Sequence, residues 1–109
     1  MQDQYQLVLC TCPDQDSAQT IAEYLVDQGL AACVNILPGI QSIYTWQGKR
    51  ESSQELLLVI KTTKNVYDAL EKAIIGVHPY ELPEIIAVNI EKGNAGYLSW
   101  ISDSISTRY

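Results

Sequence analysis

The sequence predicts an α+β fold of the ferredoxin-like, split βαβ kind, with the order βαββαβ followed by a C-terminal helix. Three observations carry this. Short β-rich runs alternate with two segments of helical spacing; a glycine closes each of those helical segments; and two long extended stretches are joined by the turn-forming residues Gln47-Gly48-Lys49. With right-handed crossovers this order gives an antiparallel sheet of spatial order 4-1-3-2, with both main helices on one face.

Residues 5–11 read as the first strand. Pro13-Asp14-Gln15-Asp16 then supplies turn and N-cap residues for a helix starting near Ser17, in which Ala18, Ile21, Ala22 and Leu25 fall on one face. Gly29 ends it in the left-handed capping position, with Leu30 making the accompanying apolar contact. Residues 32–36 resume as strand. Pro38-Gly39 interrupts them, yet residues 40–46 continue extended, so a single long strand with a bend or bulge at the glycine is expected. After the turn, residues 51–63 return as a second long strand, and this hairpin should project from the body with Tyr44, Trp46, Lys49 and Arg50 at its tip. The second helix is expected over 65–75, with Val66, Leu70 and Ala73 inward and Gly76 as its end. Residues 84–90 form the fourth strand. Gly93-Asn94 breaks it, and Tyr97, Leu98, Ile101 and Ile105 mark the last helix.

Leu56 to Ile60 is an unbroken apolar run of five, and Ile85 to Val88 one of four. Neither alternates as a sheet wetted on one side does, so both faces need cover and the chain supplies two main helices for one of them. Leaving several such side chains in water, at about 1.5–3 kcal/mol each, would consume much of a typical stability of about 5–15 kcal/mol. Self-association into a closed symmetric assembly is expected, the hairpin reaching onto a neighbour; the alternative is that the third helix alone covers the second face.

The 109 residues amount to one domain, 1–109. Thirteen acidic against seven basic residues give a net charge of -6, which repels nucleic-acid phosphates and anionic lipid. Met1-Gln2-Asp3-Gln4 lacks the basic and apolar regions of a signal peptide, and no run reaches the ~18 apolar residues of a membrane span, so the expected location is the cytoplasm. Three cysteines, Cys10, Cys12 and Cys33, are expected to be reduced thiols rather than a disulfide framework. Cys10 and Cys12, as alternate strand residues, share a face, and Cys12 and Cys33 are expected to pack as small hydrophobes.

The sole histidine, His78, opens His78-Pro79-Tyr80-Glu81-Leu82-Pro83-Glu84, where two prolines stiffen the backbone around one imidazole and two carboxylates. Strands 1 and 4 are neighbours in the expected sheet, so Cys10 and this loop belong at the same end. A thiolate with an imidazole suits Cu(I) or Zn(II), whereas calcium or magnesium asks for oxygen clusters. Two ligands do not close a site, which leaves Glu81, Glu84, Cys12 or a neighbouring subunit to supply the rest. The competing reading makes His78 a helix-ending residue bonded to backbone, Cys10 a plain core residue, and Glu81 and Glu84 solvated groups or partners of Lys61 or Lys49. Trp46, Tyr44, Tyr80 and Trp100 read as interface and core aromatics. No GxSxG elbow, phosphate-cradling glycine loop or HExxH helix is present, and a Cys10 nucleophile inside an apolar strand would have the wrong ionisation, so no enzyme is expected.

These residues also carry a resemblance. Cys33-Val34-Asn35-Ile36 with Pro38-Gly39-Ile40, Tyr44-Thr45-Trp46-Gln47-Gly48-Lys49, Lys61-Thr62-Thr63, His78-Pro79-Tyr80 with Pro83-Glu84-Ile85, and Tyr97-Leu98-Ser99-Trp100-Ile101 occur together in this order in a short chain. The sequence resembles the CutA divalent-cation tolerance family over nearly its full length. The resemblance implies a homotrimer of ferredoxin-like subunits with PII-like architecture, linked to tolerance of copper and other divalent ions. It also implies Cys10 and His78 as metal ligands; Glu81, Glu84, Tyr80, Trp46 and Lys61 are the further candidate ligand or cleft residues. Some relatives carry two histidines where this chain has Val77-His78, so one donor is absent. The alternative function is a PII-like signalling or scaffolding trimer that takes a small molecule or protein partner in its inter-subunit clefts.

Overall fold

The computed structural model describes residues 3–109; Met1 and Gln2, half of the stretch read as free of a leader, lie outside the described residues. The elements are β1 (Tyr5–Cys12), α1 (Gln15–Asp27), β2 (Cys33–Trp46), β3 (Lys49–Thr63), α2 (Tyr67–Val77), β4 (Ile86–Ile90) and α3 (Ala95–Ser104), with a 3-10 turn at Lys64–Val66 leading into α2. The four strands form one antiparallel sheet of order β2-β3-β1-β4, which is the 4-1-3-2 order read from the opposite edge.

Local chemistry sets the element ends. Asp14 caps α1 by accepting the Ser17 backbone N–H at 2.7 Å, which starts the helix two residues before Ser17. Its exit has Gly29 at φ 70°, with the Leu30 N–H donating to the Leu25 carbonyl at 2.9 Å. Gln47 and Gly48 both take positive φ, 52° and 78°, giving the two-residue hairpin turn whose twist matches the flanking strands; β3 therefore begins at Lys49, earlier than residue 51. The bend in β2 falls where expected, with the register against β3 slipping between Leu37 and Ile40 and Gly39 at φ 80°.

Two further ends differ from expectation, and each lies near a proline. α2 runs through Gly76 to Val77, and His78 stops it: Pro79 forces His78 into an extended conformation (φ -76°, ψ 139°) while its N–H still bonds the Ile74 carbonyl at 2.8 Å. β4 starts at Ile86 rather than at residue 84; Leu9 opposite Ile86 is the first pair, and Cys10 to Cys12 have no β4 partner. That gap in the sheet is where the 78–84 loop enters.

Val8, Cys10, Cys12, Leu58 and Ile60 point to the helix side and form the core with Ala18, Ile21, Leu25, Leu70 and Ile74, all without exposure. The other face carries Leu57 and Val59, half-buried, beside Leu37, Ile86 and Val88, which are 43%, 52% and 50% exposed. α3 is fixed by Ile101, by Tyr5 hydroxyl bonded to Ser102 Oγ at 2.6 Å and by the Ser106 N–H on the Gly29 carbonyl, and it leaves those three side chains open. Among the described residues, no helix is long and apolar enough to cross a membrane.

Candidate functional site

The end of β1, the N-terminal half of β3 and the 78–84 loop meet at one end of the sheet. On its helix side, one donor atom from each of Cys10, Cys12 and His78 lies within 4.8 Å of the others. Cys10 and Cys12 are alternate residues of β1 opposite Leu58 and Leu56, so both thiols face the core. Cys12 Sγ is 3.9 Å from His78 Nε2. Cys12, expected to pack and also named among the groups that could complete the ligand set, is fully buried and lies beside the imidazole. It is the thiol that meets the imidazole, because two further residues along β1 reach the level at which α2 ends. Cys33, paired with Lys61 farther along the sheet, takes no part.

His78 is 8% exposed and uses both ring nitrogens. Nδ1 accepts the Tyr80 backbone N–H at 3.0 Å, so Nε2 carries the proton and donates it to the Thr11 carbonyl at 2.8 Å. That carbonyl is one of those freed by the absence of β4 pairing, and the imidazole replaces the missing strand. The backbone-bonded reading of His78 therefore describes its state in this protomer.

The thiols are not equivalent. The Cys10 thiol is pushed far above the ordinary range by its hydrogen bond to Cys12, then by burial and by the negative Glu84 and Glu55 nearby. Cys12 is lowered, because the bond received from Cys10 outweighs burial. Cys12 is thus the thiol that becomes a thiolate first.

On the opposite face of the same sheet end, Glu55 is 92% withdrawn from solvent as judged by its 8% exposure, and accepts the Tyr80 hydroxyl at 2.7 Å. The Tyr80 ring lies against His78, centroids 4.8 Å apart at 50°, and its hydroxyl ionises well above the usual tyrosine range, through burial first and the Glu55 bond second. Glu55 forms the floor of a cleft of about 880 Å³ between the hairpin and the loop, which Tyr44, Trp46, Tyr80, Glu81 and Glu84 also line. Tyr44 is anchored by its hydroxyl on Ser53 Oγ at 2.7 Å.

Cys10 and His78 are therefore brought together, and Trp46, Tyr80, Glu81 and Glu84 share the cleft behind them. Lys61 is elsewhere: five residues beyond the Leu56 level of β3, roughly 17 Å along the strand, its Nζ donating to Asn35 Oδ1 rather than to Glu81 or Glu84. Glu55 escaped the sequence reading. Only the register, with Leu57 opposite Thr11 and Leu56 opposite Cys12, brings it to the loop's end of the sheet.

A family model described as CutA1 divalent ion tolerance protein matches residues 6–104. The divalent-cation tolerance protein CutA of Thermus thermophilus is 48% identical over 99 residues, covering 91% of this chain and 96% of that protein. Human Protein CutA is 46% identical over 103 residues, covering 88% of this chain, and the Xenopus laevis homolog is 48% identical over 95 residues, covering 87%. The chain spans 58% of the human relative's length and 63% of the frog one's. Among solved structures, a divalent cation tolerance protein (Cut A1) from Thermus thermophilus superposes with a TM-score of 0.92 at 46% identity, covering 94% of this chain and 99% of that one. CutA1 from Oryza sativa gives 0.93 at 39% identity, covering 95% of each.

Proposed function

This chain belongs to the CutA1 divalent ion tolerance family, and on that premise we propose that it serves tolerance of and response to divalent metal ions, copper foremost, as a cytoplasmic homotrimer that binds the ion directly. The observation that carries the reading is the convergence of two thiols and an imidazole within 4.8 Å, about twice a metal–sulfur bond of ~2.3 Å. Sulfur and imidazole donors suit Cu(I) or Zn(II), and the Glu81 and Glu84 carboxylates are not part of that cluster.

The donor set fits a soft ion through its sulfurs first. Cys12 gives the thiolate, and Cys10 loses its proton only with the ion's help, so uptake releases protons. His78 can offer Nε2 only by giving up its bond to Thr11 and turning a proton on Nδ1 toward the Tyr80 N–H. The imidazole therefore joins at the cost of two hydrogen bonds. The ion, when held, would supply the charge that two thiolates need in a dry pocket. A nucleophilic role for Cys10 is disfavoured by its complete burial and raised thiol, which supports binding rather than catalysis.

Support for the trimer comes from the open face, where Leu37, Ile86 and Val88 ask for cover that none of the described helices gives. A second reading, the PII-like trimer that receives a small molecule, draws its support from the cleft over Glu55.

Anaerobic titration with Cu(I) and Zn(II) under reducing conditions tests the metal reading. Cys12→Ser is expected to weaken uptake most, by at least the roughly 10–100-fold that loss of a supporting contact costs, and His78→Ala less. Uptake unchanged in Cys12→Ser, Cys10→Ser and His78→Ala alike would overturn the site. Sedimentation equilibrium finding folded single copies at working concentration would overturn the trimer.

A further inference from the structure

We propose that the cleft between the β2–β3 hairpin and the 78–84 loop binds a small amphipathic organic cation, a protonated alkylamine, with its ammonium group on Glu55 and its hydrocarbon body against the aromatic wall. The inference rests on the small-molecule reading above and is independent of the thiol cluster, which lies on the other face of the sheet.

Charge comes first. Glu55, Glu81 and Glu84 line the cleft and no lysine or arginine does, in a chain whose net charge is -6. Glu55 is the informative member, because a carboxylate this withdrawn from water ordinarily requires a cation, and its partner here is the neutral Tyr80 hydroxyl on Oε2. Oε1 is left for an incoming N–H donor.

The walls select the kind of cation. A bare hard ion would need several carboxylates converging on one point, yet among the described residues the only cluster of His, Cys, Asp and Glu with metal-ligand spacing is Cys10, Cys12 and His78. The three glutamates are spread along the cleft. Beside them stand Tyr44, Trp46 and Tyr80, whose π faces attract a cation, and Ile43 and Leu82, whose exposures of 65% and 77% in the single protomer leave apolar surface for a hydrocarbon chain to cover. A volume of about 880 Å³ is within the ~300–1,000 Å³ of small-molecule sites. Two of the rings are also fixed in advance: Tyr44 by Ser53, Tyr80 by Glu55 and by its packing on His78. A site with pre-set walls loses less order on binding.

The test uses the full chain and three matched probes of equal length: hexylammonium, 1-hexanol and hexanoate. In a Trp100→Phe variant Trp46 is the sole tryptophan, so its fluorescence reports the cleft. Hexylammonium is expected to give a saturable change and hexanoate none, with 1-hexanol weaker by roughly tenfold or more, as loss of a charge-assisted hydrogen bond predicts. Glu55→Gln should weaken hexylammonium by a similar factor; if that variant fails to fold, Glu81→Gln with Glu84→Gln, both on the exposed loop, should lower affinity instead. Equal binding of 1-hexanol or hexanoate would overturn the cation assignment while leaving a small-molecule cleft. No saturable response to any probe would overturn both. Hexylammonium binding that appears only in Arg50→Ala would identify the occupant as the basic hairpin tip of a neighbouring copy, and would overturn the proposal.

Discussion

Leu58 and Val88 belong to one sheet and are of the same chemical kind, yet Leu58 has no exposure and Val88 has 50%. The difference lies in what the chain packs on each face. α1 and α2 cover the side that holds Val8, Cys10, Leu58 and Ile60, whereas Leu37, Ile86 and Val88 on the reverse side have no helix over them. The two faces also end in different chemistry. The covered one closes over two thiols and an imidazole; the open one widens into an acidic, aromatic cleft. A single loop serves both, because His78 turns inward to the thiols and Tyr80, two residues on, crosses to Glu55.

The largest effect that sharpens this contrast is a cavity on the covered face. Leu58→Ala should cost about 2–5 kcal/mol in denaturant unfolding, since the site is walled by Cys10, Ile36 and the helices and cannot easily collapse. A loss below ~1 kcal/mol would mean that the covered face is not the principal core. Val88→Asp should act differently: little change in the protomer's helical signal, but a shift in sedimentation toward single copies, because a charge placed in an apolar interface loses its water without gaining a partner. Trimers that persist in Val88→Asp at every concentration would remove the open face as the contact between copies.

The sequence exposed most of this contrast because it was written in the lengths of the apolar runs. Leu56 to Ile60 and Ile85 to Val88 are too continuous for a sheet with one wet side; the structure divides the first run between a covered and an open face, while in the second only Ile85 packs on the core and Ile86, Ala87 and Val88 are exposed. Turn chemistry was equally legible at Gly29, Gly39 and Gln47-Gly48, where positive φ is required. Proline explains the misplaced end of α2: a glycine in a helix is merely costly, so α2 passes Gly76 and yields only to the backbone demand of Pro79. At the site, register was the missing information. Cys12 and Glu55 acquire their partners only once Cys12 is known to pair with Leu56, and no local pattern states that pairing. Lys61 was misassigned for the same reason, since five residues of strand separate it from the loop.

The smallest effect bears on the link between the faces. Tyr80→Phe keeps the ring against His78 and removes only the hydroxyl bonded to Glu55, so at neutral pH it should cost roughly 1 kcal/mol. Its pH dependence is the better discriminator. The Tyr80 hydroxyl ionises above its ordinary value of 10.0 in the folded protein, so the unfolded chain gives up that proton first as pH rises. The resulting stabilisation is complete below about pH 10 and drains away above it. Tyr67 is raised in the same direction, by burial and then by its bond to Glu71, so the wild-type alkaline loss is the sum of two tyrosines. Tyr80→Phe should therefore flatten the fall in denaturation midpoint above pH 10 without abolishing it, and adding Tyr67→Phe should flatten it further. An alkaline profile identical to wild type in Tyr80→Phe would mean that the hydroxyl is not held by Glu55, and that the two faces are joined at this end by ring packing alone.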